Sequence, residues 1–112
     1  MKIAFTAEET GWDSQMDPRF GRTAYILIYD DVKDELAFID NRENANAAHG
    51  AGPQTAQKLL EISPDILITG NGPGGNSAML LKKINMKIYT GAGEFCVKEA
   101  YQAYQKGELK EF

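Results

Sequence analysis

The chain has 112 residues, 43% of them hydrophobic and 25% charged, with a formal net charge of -4. That length suits one domain over residues 1–112 with one core, and the acidic balance excludes the general affinity for nucleic acid or anionic membrane that clustered Lys and Arg confer. The single cysteine, Cys96, excludes an internal disulfide and a site of four thiolates from one chain.

The opening MKIAFTAEE turns polar too early for a signal peptide, and no apolar run is long enough to span a bilayer, so the expected location is cytoplasmic. KIAFTA alternates apolar and polar residues as a first strand does, and AYILIYD (24–30) is apolar, β-branched and aromatic enough to be a buried one. ELAFID (35–40) reads as a third strand, joined to the second through the short polar link DVKD in an antiparallel hairpin. GPQTAQKLLEIS then has helical spacing, with Pro64 ending it, and DILIT (65–69) is a strand. NSAMLLKKIN is a helix, MKIYT (86–90) a strand, and the last helix begins near Glu94 with Gly107 as its stop. The order βββαβαβα predicts an α/β fold of three layers: a five-stranded mixed sheet in the order 3-2-1-4-5, strand 2 antiparallel, with helices on both faces. That is the ribonuclease-H-like arrangement.

In this topology strands one, three, four and five end on one edge of the sheet, where ligands of open α/β sheets collect. The loops leaving that edge hold the unusual residues: Trp12, Arg19, Phe20, Gly21 and Arg22 after the first strand, His49 after the third. Three G-x-G turns stand before helices, at Gly50 and Gly52, at Gly70 and Gly72, and at Gly91 and Gly93; Asn71, Gly74 and Gly75 complete the middle loop, TGNGPGG. Glycine admits close backbone approach and a helix start offers unpaired N–H groups, so these loops read either as a shared anion site or as ordinary tight turns. Other residues carry the same ambiguity. His49 is a metal ligand or a surface residue, and Cys96, in the first turn of the last helix, is a weaker second ligand or a small buried hydrophobe. Arg19 either supplies charge or braces its turn through Asp13 or Asp17, and Trp12 is a lid or loop packing.

Three familiar chemistries are set aside. The G-x-G-x-x-G of residues 70–75 lacks the acidic residue that holds a dinucleotide ribose, since the next strand ends Ile88-Tyr89-Thr90, and no Lys-Ser or Lys-Thr makes it a P-loop. A nuclease of this fold needs carboxylates that KIAFTA does not have, and Asp65 lies at the wrong end of its strand. No serine has a base and an orienting partner beyond His49.

The segments DPRFGRTAYILIYD, HGAGPQTAQKLLE, DILITGNGPGGNSAMLLKKINMKIYTGAG and VKEAYQAYQKGEL resemble the nitrogenase iron-molybdenum cofactor biosynthesis family, the domain of NifX, NafY and the C-terminal part of NifB, in a small stand-alone form. The resemblance implies a binding or carrier protein, not an enzyme, for an anionic iron-sulfur-based or iron-molybdenum cluster or its precursor. It implies contacts through Arg19, Phe20 and Gly21, through His49 with Gly50 and Gly52, and through Gly70–Gly75, and a cluster-delivery protein as partner. A different class of function is an interaction or regulatory module that meets a protein partner or a small phosphorylated metabolite at the same edge.

Overall fold

The computed structural model describes residues 1–112. β1 (Lys2–Ala7), β2 (Tyr25–Asp30) and β3 (Glu35–Asp40) form a meander, followed by a one-turn α1 (Arg42–Ala45), α2 (Ala51–Ile62), β4 (Ile66–Ile68), α3 (Gly75–Leu81), β5 (Lys87–Thr90), α4 (Val97–Gln105) and β6 (Lys110–Glu111). The sheet order is β3-β2-β1-β4-β5-β6, with β1, β4 and β5 parallel and β2 and β6 antiparallel to their neighbours. This is the ribonuclease-H-like order expected from the sequence, extended by one short strand.

Alternation along the strands builds two cores. Ile3, Phe5 and Ala7 of β1 point to the layer closed by Val97 and Ala100 of α4, with Met16 of the long β1–β2 loop added to it. Ala4 of the same strand points the other way, to Ala56 and Leu59 of α2 and Leu81 of α3. β1 is buried on both faces because it is the central strand, which is why it has no charge after Lys2.

The hairpin between β2 and β3 is an Asx-type turn. The Asp30 carboxylate accepts from the N–H groups of Val32 and Lys33 at 3.0 and 3.2 Å, and Asp34 takes a left-handed φ of 53° to start β3.

Several ends differ from those the sequence suggests: β4 and β5 are each trimmed by a residue or two, and the one-turn α1 lies outside the expected order. α3 stops at Leu81 because the chain tightens, with the N–H groups of Lys83 and Ile84 donating to Leu80 and Leu81 three residues back. α4 begins at Val97, not near Glu94, because the preceding residues are engaged elsewhere: Phe95 donates to Ala92 and its carbonyl accepts from Met16. β6 has no periodic signature in the sequence; it exists because the outer edge of β5 is open to pairing. No helix is long and apolar enough to cross a membrane.

Candidate functional site

The C-terminal ends of β1, β3, β4 and β5 lie on one edge, and the turn Asp17–Arg22 crosses that edge and ties its loops together. Its geometry starts at Asp17, fully buried, whose carboxylate accepts from the backbone N–H of Arg19 at 3.0 Å, from Arg19 Nε and Nη2 at 3.1 Å each, and from the Ala24 N–H at 3.2 Å. The Asp17 carbonyl in turn accepts from Thr6 Oγ1, which lies 2.9 Å from Thr69 Oγ1. One buried carboxylate thus fixes the turn, and two threonines at the ends of β1 and β4 fix where it sits.

From that anchor the turn reaches in two directions. Pro18 meets the β4 and β5 loops: its carbonyl accepts the Asn71 N–H at 2.8 Å, and a Cβ built on Gly70 would fall 2.6 Å from Pro18 Cα and 3.0 Å from Gly93 Cα. Gly21 meets the start of α2, where a Cβ on Gly21 would lie 2.7 Å from Gly52 Cα, while one on Gly52 would lie 2.6 Å from Ser77 Oγ of α3. Arg22 then donates from Nη1 to the carbonyls of Ala45 and Ala47 at 2.8 and 2.9 Å, closing the chain that carries His49.

Each residue singled out in the sequence therefore has a definite place. Gly21, Gly52, Gly70 and Gly93 are contact glycines, required where backbone meets backbone or a side chain. Gly50 and Gly91 have φ of 76° and 93°, so they are required for conformation. Gly72 lies under the ring of Phe112, whereas Gly74 and Gly75 face open space at the start of α3. Phe20 is buried among Ala4, Ile26 and Leu59, a core residue that anchors the turn instead of presenting a surface. Trp12 packs edge-on against Phe5 and Tyr29 and tilted against Tyr101, over the face of the sheet.

The two arginines are not free charges. Arg19 is paired with Asp17, and the hydrogen bond to that carboxylate raises the guanidinium pKa above its usual value, yet 59% of its side chain stays exposed. Arg22 donates to carbonyls, so no carboxylate is paired with it.

His49 is exposed on the link into α2. Cys96 is half-buried at the N-cap of α4, where its backbone N–H donates to Glu99 Oε1 at 3.0 Å. These two enter helices that pack on opposite faces of the sheet, His49 before α2 and Cys96 before α4. No group of three or more His, Cys, Asp or Glu side chains converges on a common point.

Shallow hollows border this edge, one of about 570 Å³ lined by Asp40, Arg42, Glu43 and Asn46 and one of about 390 Å³ lined by Pro53, Asn76, Met79, Leu80 and Lys83, and others lie away from it. One groove of about 410 Å³ runs between Trp12, Tyr29, Lys98 and Tyr101, and a smaller cleft of about 160 Å³ lies between Leu81, Ile88 and Phe112. Around this edge, which forms a rim, stand the exposed Arg19, Arg22 and His49 and the exposed Gly75 and Asn76 at the start of α3, whereas the first turn of α2 is covered, Ala51 being buried, Gly52 packed on Gly21 and Pro53 lacking an N–H. Asp17, Pro18, Thr6, Thr69 and Ser77 were the parts least visible in the sequence; of these only Asp17 carried a signal, as a carboxylate two residues from Arg19.

A model of the family described as dinitrogenase iron-molybdenum cofactor matches residues 1–107. Among solved structures, the apo form of the orange protein from Desulfovibrio gigas is 31% identical and superposes with a TM-score of 0.90 over 99% of this chain and 92% of that one. A putative NifB protein from Thermotoga, also 31% identical, superposes with a TM-score of 0.82 over 98% of this chain and 91% of that one. No curated protein sequence matches the chain.

Proposed function

Because the chain belongs to the dinitrogenase iron-molybdenum cofactor family, we propose that residues 1–112 act as one non-catalytic domain that binds or carries an anionic cluster, iron-sulfur-based or containing molybdenum, or its precursor. The observation that carries the reading is the Asp17–Arg22 turn, which gathers the loops after β1, β3, β4 and β5 into one rim with Arg19, Arg22, His49 and the start of α3 exposed on it. Sulfide atoms on the outside of a preassembled cluster are acceptors, so hydrogen bonds and charge hold it without a full set of protein ligands. His49 is the one side chain of the rim able to ligate metal. Cys96 lies across the sheet and is assigned to the capping of α4.

Anaerobic reconstitution with iron and sulfide, with and without molybdate, should give visible absorbance and bound metal with the wild-type chain. Both should fall about tenfold or more in Arg19→Ala, if one charge-assisted contact of about 1.5 kcal/mol is lost, and again in His49→Ala. Equal metal content in wild type and both variants would remove the rim as the site.

One further reading is a surface for a protein partner such as one that delivers or receives the cluster, favoured by Met79 of α3, 69% exposed beside Pro53 and Asn76. A metabolite-binding role at the same edge predicts instead that protein purified without oxygen holds no iron or molybdenum, and that phosphorylated compounds raise its melting temperature.

A further inference from the structure

The outer edge of β5 is covered by very little chain. β6 pairs only Tyr89 with Glu111 and Thr90 with Lys110; the next residue adds one hydrogen bond, from the Phe112 N–H to the Ile88 carbonyl at 2.8 Å. The side chains of Lys110 and Glu111 are exposed, and Phe112 is 60% exposed. Phe112 nevertheless makes one contact that is exacting. A Cβ on Gly72 would fall 2.1 Å from a carbon of its ring, so the ring occupies the space that only glycine leaves. The cleft that the ring lines is shared with Leu81 of α3, Met86 of the link into β5 and Ile88 of β5.

The loop between β4 and α3 therefore has two successive anchors. Asn71 is held from the rim side by Pro18, and Gly72 is held from the far side by Phe112. After that nothing packs on Gly74 or Gly75 before the helix takes over with the Ala78 N–H donating to the Gly74 carbonyl. We propose that residues Lys110–Phe112 form a latch on this loop: docked on β5, they hold Gly72–Gly75 in the conformation that leads into α3 beside the Asp17–Arg22 turn. Undocked, the loop loses one of its two anchors and the rim loses its fixed spacing. A strand of two residues and a half-exposed ring open at little cost, so docking and undocking exchange readily. The influence on ligand affinity rests on the function proposed above; the influence on the loop does not. By linkage, a ligand that prefers the held loop strengthens the docking of the segment by the same factor.

Amide exchange of the ligand-free protein tests the latch directly. Phe112→Ala should raise exchange at the hydrogen-bonded Asn71 and Ala78 N–H groups that flank the loop by about tenfold while leaving β1 and β4 protected. Phe112→Leu, which keeps an apolar contact, should restore most of the protection. Gly72→Ala should destabilise the wild-type chain by displacing the ring, and should lose most of that effect in the Phe112→Ala background, where the space is vacant. Unchanged loop exchange in Phe112→Ala, or a Gly72→Ala effect that is the same in both backgrounds, overturns the latch. In the protein reconstituted with iron and sulfide, protection of the Phe112 N–H should rise, and Phe112→Ala should bind less metal than wild type. If the wild type takes up no metal, the functional reading fails and the exchange data alone decide the latch.

Discussion

Asp17 shows how one residue can serve a site it does not touch. Its carboxylate is fully buried and accepts four hydrogen bonds, three of them from Arg19, so it sets both the direction of the guanidinium and the course of the turn. Asp17→Ala should cost about 2 kcal/mol in urea unfolding, because the Ala24 and Arg19 N–H groups lose a buried acceptor. The glycines divide the same way. Gly21→Ala and Gly70→Ala force a Cβ to within 2.7 and 2.6 Å of backbone atoms and should each cost about 1–3 kcal/mol, as overpacking does. Gly75→Ala, in open space within α3, should leave stability unchanged or raise it by about 0.5–1 kcal/mol. If the rim binds an anion, that same alanine weakens binding without weakening the fold. Denaturation midpoints and affinities of the three variants separate glycines that build the site from those that meet its ligand. The sequence could not make this division, since G-x-G reads alike whether a neighbouring strand or an anion fills the space.

At the scale of elements, the strands and helices were legible because each carries a clear period, and β3 is found with its expected bounds. Less legible were ends decided by distant residues. α4 starts late because Met16 and Ala92 hold Phe95, and its first turn is closed by Glu99 reaching back to the Cys96 N–H. That hydrogen bond lowers the Glu99 pKa below the usual glutamate value, so its contribution to stability is complete above the unfolded pKa, about 4.3, and is lost as pH falls through the lowered folded value. Glu99→Gln should therefore reduce the pH dependence of stability in the acid range. A chemical-shift titration of Glu99 that gives an ordinary midpoint would contradict this account of the cap. β6 lay beyond sequence reasoning for a different reason: two residues have no period, and what makes them a strand is the vacancy beside β5.

For the whole molecule, the sheet has one long open edge, β3, which bears Phe38 at 57% exposure. Antiparallel pairing of two β3 strands about the Ala37–Phe38 midpoint would set Glu35 against Asp40 twice, and like charges directly opposed disfavour the pair. Replacing both acids with threonine should expose the molecule to edge-to-edge association, measured as concentration-dependent mass by light scattering; a strictly monomeric double variant would show that some other feature guards the edge.

The turn that gathers the rim also sets when the rim can exist. Pro18 is made early in synthesis, but Asn71 and Gly93, which it meets, emerge only after β4 and β5 have been translated, and the β1–β4 pairing that brings them near joins residues more than sixty positions apart. A ribosome-bound fragment ending before β5 already carries Arg19 and His49 but has no assembled rim. If the rim binds a cluster, as proposed above, only a chain whose sheet is finished can accept it, and the order of translation itself guards against premature capture.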